Sequence, residues 1–259
     1  MNPLTIYTAC LSDKGLNPKY LVNEDSYLIM EEERIFAVAD GVGGAEDGDV
    51  ASRSALKIIQ KGVKRFSPQF KEDRTGFLQK LIKAGNEVVY QLACEKNQQS
   101  ASTLAIMFIE DDYAVLGHVG DSRIYLVREG NILQLTRDHS KWQELLDRNP
   151  HLALTRNQYS DGHVITRALG VEKTVQPDIQ KVLLKQDDVF LLCTDGIYSY
   201  NSDEEMRQAV NRNKDQLAAV CESLKSKCYQ GGAKDNLTVI VVKIAKEETE
   251  VQTKSYRIR

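Results

Sequence analysis

The feature that most constrains the fold is a series of short apolar runs joined by links too brief for anything but hairpins. Residues 103–110, 113–119, 122–128 and 131–135 are rich in Val, Ile, Leu, Tyr and Phe, and Glu110-Asp-Asp and Arg128-Glu-Gly-Asn bridge consecutive runs. β-Branched and aromatic residues suit a pleated surface, and so short a link returns the chain antiparallel, because a parallel crossover needs about a dozen residues. Further strands are expected at 5–10, 26–30, 34–39, 179–184, 188–194 and 237–244.

Four helices stand apart from these runs. Residues 48–66 carry Ala55, Ile58, Ile59, Val63 and Phe66 on one face, and 75–95 carry Phe77, Leu78, Leu81, Ile82, Val88 and Leu92, both at a period near 3.6. A shorter helix over 203–211 opens at Ser202 as its N-cap, and 215–228 repeats Leu217, Val220, Cys221, Leu224 and Cys228. One helix pair follows the first strands and the other precedes the last strand. Two stacked antiparallel sheets flanked by helices fit that order, an α+β chain. Residues 141–164, broken by Trp142, Pro150 and Gly162, read as a helix and an irregular flap over the surface of a domain spanning 1–245. The polar tail at 246–259 is expected to fray.

Composition narrows the class. A hydrophobic content of 42% over 259 residues allows a proper core, and 34 Lys and Arg against 37 Asp and Glu give no basic excess that would point to nucleic acid. No apolar stretch approaches the roughly 20 residues of a membrane span, and Met1-Asn-Pro-Leu-Thr lacks a signal-peptide pattern, so a soluble, cytoplasmic monomer is expected. Cysteines at 10, 94, 193, 221 and 228 form no CxxC pair, so reduced, mostly buried thiols without a catalytic role are expected.

Four carboxylates sit where apolar runs begin or end: Asp40 after Ile35-Phe-Ala-Val-Ala, Asp121 after His118-Val-Gly, Asp195 after Val189-Phe-Leu-Leu-Cys-Thr, and Asp235 before Leu237-Thr-Val-Ile-Val-Val. A single Asp-Gly is ordinarily a turn. Four such placements point to a site for hard divalent cations, with Gly41 and Gly196 allowing the backbone to turn close to the carboxylates. His139 reads as a structural hydrogen-bonding residue, and Asp111, Asp112, Asp187 and Asp188 as solvated turn charges.

The acidic positions lie within longer strings: Asn23-Glu-Asp-Ser, Asp40-Gly-Val-Gly-Gly, Ser102-Thr-Leu-Ala, Gly117-His-Val-Gly-Asp-Ser-Arg-Ile-Tyr, Thr136-Arg-Asp-His-Ser, Ile165-Thr-Arg-Ala-Leu-Gly, Cys193-Thr-Asp-Gly-Ile and Asp235-Asn-Leu-Thr. In this order the chain, from about 5 to 244, resembles the metal-dependent serine/threonine protein phosphatases of the 2C type (the PPM family) in their compact bacterial form. The resemblance implies a four-layer αββα sandwich, two Mn2+ or Mg2+ ions, and hydrolysis of phosphoserine and phosphothreonine by a metal-activated water. It implies phosphoprotein substrates and a cognate serine/threonine kinase pathway as partners. Asp40 would bridge both metals, the Gly41 carbonyl would ligate one, and Asp195 and Asp235 the other. Glu24 and Asp25 would act through water, and Asp121 would hold a weak third metal.

The departures from the family pattern are specific. Its phosphate-binding Arg falls at Tyr20, which leaves neighbouring Lys19 as the cation for substrate phosphate. Ser199 stands where many relatives have a further Asp, which weakens the third site, and Val42 cannot donate a proton. Two rivals therefore remain open: a catalytically weak or silent phosphoprotein-binding relative, and a metal-dependent phosphodiesterase.

Overall fold

The computed structural model describes residues 4–43, 47–66, 73–96, 100–152 and 154–246. Its strands are β1 (Leu4–Asp13), β2 (Asp25–Met30), β3 (Ile35–Val42), β4 (Ala101–Ser102), β5 (Leu104–Ile109), β6 (Tyr113–Val119), β7 (Arg123–Arg128), β8 (Asn131–Gln134), β9 (Asp178–Leu183), β10 (Val189–Cys193) and β11 (Leu237–Lys246). They form two sheets, ordered β1-β11-β10-β7-β8 and β2-β3-β5-β6-β9, with β4 beside β3. The strand pairs in both are antiparallel. The β7–β8 turn puts Glu129 at φ 52° and Gly130 at φ 78°, the left-handed pair that matches the twist of a two-residue hairpin.

Alternation within a strand divides the core into layers. In β3, Ile35, Ala37 and Ala39 face α1 (Gly48–Phe66) and α2 (Arg74–Lys96), whereas Phe36 and Val38 fill the space between the sheets. In β10, Val189, Leu191 and Cys193 face the opposite helices, and Phe190 and Leu192 point inward to the inter-sheet layer. The outer layer on that side is α5 (Asp203–Asn213) and α6 (Leu217–Gln230), which bury Met206, Val210, Leu217, Val220, Cys221, Leu224 and Cys228. The α+β sandwich with two antiparallel sheets is thus present. Ser202 caps α5 as expected, with Glu205 completing a reciprocal pair of hydrogen bonds worth about 1 kcal/mol.

Several details differ from the sequence reading. On α2 it is Val89 that is fully buried where Val88 was expected, and Phe66 at the end of α1 stays exposed. Asp188 is not a solvated turn charge: its side chain is buried and takes two bonds from Arg128, at 2.6 and 2.7 Å. The reason is register, because Val127 lies opposite Val189 and so sets their chain neighbours Arg128 and Asp188 side by side. Cys193, Cys221 and Cys228 are buried, Cys10 and Cys94 exposed. The flap region holds α3 (Lys141–Arg148), capped by Ser140, and a 3-10 turn at Arg156–Gln158. Its two ends are stitched together by Lys141 N–H to the Val164 carbonyl and Thr166 N–H to the His139 carbonyl. Among the described residues no helix is long and apolar enough to cross a membrane. The polar tail lies, after Lys246, outside the described residues.

Candidate active site

One end of the sandwich collects the acidic residues. β3 runs toward this end from Ile35 and continues through Asp40 to Val42, because Asp40 still pairs with Asp25 of β2 and Gly41 with Ser102 of β4. The two carboxylates therefore sit directly opposite one another. Across the inter-sheet gap, β10 ends at Cys193, and Thr194 caps α4 (Asp195–Tyr198), so Asp195 opens a short helix rather than closing a strand. Thr194 donates to Asp25 Oδ2 at 2.8 Å, which joins the two sheets at the site.

Glycines allow the close approach. A Cβ on Gly196 would stand 1.9 Å from the Asn236 carbonyl oxygen, so Asp195-Gly196 packs directly on the Asp235-Asn236 turn that leads into β11. A Cβ on Gly41 would meet the Gly48 carbonyl at 2.0 Å, and one on Gly48 would lie 2.8 Å from Glu24 Oε2. Glu24 therefore faces the first turn of α1, where burial and then the charges of Asp49 and Asp235 raise its carboxyl. Its backbone is fixed by Glu24 N–H to Asn236 Oδ1, 2.8 Å, and by Gly41 N–H to the Glu24 carbonyl, 3.2 Å.

Charge compensation at this cluster is scant, with Arg156, 3.7 Å from Asp195, as its cation among the described residues. Burial raises the carboxyls of Asp40 and Asp195 well above their usual range, and the negative charges around them raise them further: Asp25, Asp195 and Asp235 for Asp40, and Asp121 and Asp235 for Asp195. Asp25 is pushed up to about 7, chiefly by burial, against the hydroxyls of Thr238 and Thr194. Its Oδ1 is buried without a hydrogen-bond partner among the described residues. Such an arrangement is unfavourable as it stands and becomes favourable when cations join it. The oxygen-only donor set, with one orphaned carboxylate oxygen, suits Mg2+ or Mn2+.

The other expected residues are distributed unevenly. Asp121, just after β6, is 4% exposed, and burial raises its carboxyl while Arg156 opposes the shift. Lys19 is exposed, and among the described residues it forms no ion pair. Tyr20 does reach the cluster: burial and its hydrogen bond with Asp235, together with the charges of Asp40 and Glu24, hold its phenol above the usual range. Ser199 is exposed at the C-cap of α4, its N–H bonded to the Asp195 carbonyl at 2.9 Å. His139 accepts from Gly120 N–H at 3.1 Å and stacks on His118, with ring centroids 4.6 Å apart.

His118, His139 and Asp178 bring ligand atoms within 4.8 Å of one another, a group separate from the acidic cluster. There Arg167 donates to Asp178 at 2.9 Å and balances its charge. Burial lowers His139 to about 4 and also lowers His118, so both rings are neutral.

Sequence reasoning passed over Arg156. From the 3-10 turn of the flap its Nη2 donates to Asp121 Oδ2 at 2.8 Å and lies 3.7 Å from Asp195 Oδ2, while Nη1 donates to the Tyr198 hydroxyl at 3.0 Å. No periodicity marks a lone cation in an irregular segment, so no signal could have singled it out. Thr194, Asn236 and Tyr198, which brace the site, carry equally little pattern.

A helix-flanked antiparallel sandwich with a cluster of carboxylates at one end, answered only in part by Arg156, fits a class of hydrolase built around divalent cations. The protein phosphatase 2C family model matches residues 19–238. The serine/threonine phosphatase Stp of Listeria innocua is 32% identical over 226 residues, covering 85% of this chain and 89% of that protein. Protein phosphatase PhpP of Streptococcus pneumoniae is 31% identical over 244 residues, covering 93% and 97%. The Mycobacterium tuberculosis phosphatase PstP/Ppp superposes with a TM-score of 0.83 at 28% identity, covering 93% and 99% of the two chains. The PstP catalytic domain solved with two manganese ions gives 0.77 at 29%, covering 94% and 100%. The chain belongs to the protein phosphatase 2C family, and with it to the serine/threonine protein phosphatases.

Proposed function

We propose that this chain removes phosphate from phosphoserine and phosphothreonine in proteins at a centre of two divalent cations, Mn2+ or Mg2+. The observation that carries the reading is the cluster of buried Asp25 with half-buried Asp40, Asp195 and Asp235, and its orphaned Asp25 oxygen. Asp40, the Gly41 carbonyl, Asp195 and Asp235 would hold the ions, with Glu24 and Asp25 outside them. When bound, two such ions neutralise phosphate charge and lower the pKa of water enough to give a nucleophile at neutral pH.

The chain's own residues set up the geometry. Thr194 fixes one oxygen of Asp25 and leaves the other free to accept a proton or a water hydrogen. Tyr20, in the position where relatives place an arginine, donates its single O–H to Asp235 and so can reach an incoming phosphoryl oxygen only by giving up that bond. Lys19, next to Tyr20 and exposed, remains the cation available to a substrate phosphate there. We further propose that the enzyme acts as a cytoplasmic monomer on phosphoproteins made by a serine/threonine kinase.

The test is phosphate release from a phosphothreonine peptide by chelator-stripped protein, with and without added Mn2+. Activity only with the ion supports the reading; equal activity in both overturns it. Stoichiometric peptide binding without turnover would instead place the chain among silent relatives.

A further inference from the structure

Asp121 already has a cation. Its Oδ2 takes the Arg156 guanidinium at 2.8 Å, and the Tyr198 hydroxyl, 2.9 Å from the Asp121 carbonyl, holds the same residue from the other side. Arg156 is itself held at three points: Nε to the Gly162 carbonyl at 2.8 Å, Nη1 to Tyr198, and its charge 5.5 Å from the centre of the Tyr198 ring. The Asp121 side chain is 6% exposed and that of Arg156 13%, so the pair is largely shielded from water. The loop that delivers the arginine is tight, since a Cβ on Gly162 would stand 2.1 Å from the Arg156 carbonyl oxygen.

The donors left for another metal ion here are poor. Asp195, 3.7 Å from Arg156, belongs to the binuclear set, Ser199 is exposed and neutral, and His163 is an exposed imidazole with the Arg156 charge close to it. A divalent ion at Asp121 would have to displace a guanidinium that cannot deprotonate, or bind beside it against like-charge repulsion.

We propose that Arg156 is a built-in cation that takes the place of a third metal ion and pins the flap to the active site. The proposal rests on the phosphatase reading, since it presumes the two-ion centre beside it. The fixed charge of Arg156 is present at Asp121 whatever the metal concentration.

The test counts Mn2+ on chelator-stripped full-length protein by calorimetry and by electron paramagnetic resonance. Wild type is expected to bind two ions and Arg156→Gln three, the third weaker by roughly tenfold or more because few charged ligands remain for it. Arg156→Lys keeps the charge and should stay at two, while Asp121→Asn in the Arg156→Gln background should lose the third. Three ions on wild type, or two on Arg156→Gln, overturn the proposal. A purely structural ion pair would loosen the flap, seen as faster proteolysis within 141–164, and leave the count unchanged. No Mn2+ on wild type would take down the phosphatase reading itself, an outcome distinct from either. Arg156 lies in the flap and outside the buried apolar clusters, and circular dichroism confirms folding of each variant before counting.

Discussion

Two sets of buried charge in this molecule behave in opposite ways. Arg128 with Asp188 and Arg123 with Asp138 are matched pairs, each carboxylate held by two or more bonds from its arginine. At the other set, Asp25, Asp40 and Asp195 gather around Asp235 with Arg156 as the nearest cation, 3.7 Å from Asp195. A balanced pair can be left alone by solvent and serves the fold. An unbalanced cluster is strained until something positive arrives, and the strain marks the site of function.

The largest effect should come from removing a member of the unbalanced set. Asp40→Ala is expected to lower kcat/KM for a phosphopeptide by on the order of a thousandfold or more, since it deletes the carboxylate proposed to join both ions. In metal-free protein the same change should raise the melting temperature, because it relieves repulsion around a buried charge. A metal-free variant that melts below wild type would show that Asp40 is already compensated.

Next comes the balanced pair. Arg128→Ala leaves Asp188 buried and alone, so unfolding free energy should fall by about 3 kcal/mol. Mn2+-dependent turnover per folded molecule should be unchanged, since neither residue is near the acidic cluster. Urea denaturation and steady-state kinetics on one preparation check both halves.

A smaller contrast lies in pH. Asp25 has its folded value raised to about 7 from the ordinary 3.8, so between these limits the native state binds more protons than the unfolded chain. Its contribution to stability is complete below the unfolded value and is lost as pH rises through the folded one. His139, lowered to about 4, acts in the opposite sense, with stability gained as pH rises toward its unfolded value. Comparing melts with and without Mn2+ in a His139→Gln background removes the histidine, which with His118 and Asp178 offers ligand atoms of its own. The stabilisation given by Mn2+ should therefore grow from about pH 5 to about pH 8. A constant difference would place the buried charge elsewhere.

The smallest effect separates Tyr20 from Lys19. Tyr20→Phe removes one hydroxyl from the cluster and should cost about fivefold in kcat/KM, near 1 kcal/mol, whereas Lys19→Ala should change it less than about twofold. The reverse order would return phosphate binding to the lysine.

Much of this protein was legible in its sequence. Hairpin-length links and alternating apolar runs fixed antiparallel sheets, helical periodicity fixed α1, α2, α5 and α6, and acidic residues at the ends of runs marked the end of the sandwich where carboxylates gather. These are local signals, carried by neighbours within a turn or a strand. Partnerships across the fold carried no such signal. Arg128 and Asp188 meet because Val127 and Val189 are in register, and Asp188 looked like a loop charge without that fact. Arg156 reaches Asp121 because the flap's ends are stitched at Lys141 and Val164, and Tyr20 rather than Lys19 reaches Asp235 through a loop whose path no periodicity records. The sequence by itself determined which carboxylates stand at the ends of strands. Only the tertiary structure decided which of their charges were already answered, because compensation depends on distance and burial, and both are properties of the packed chain.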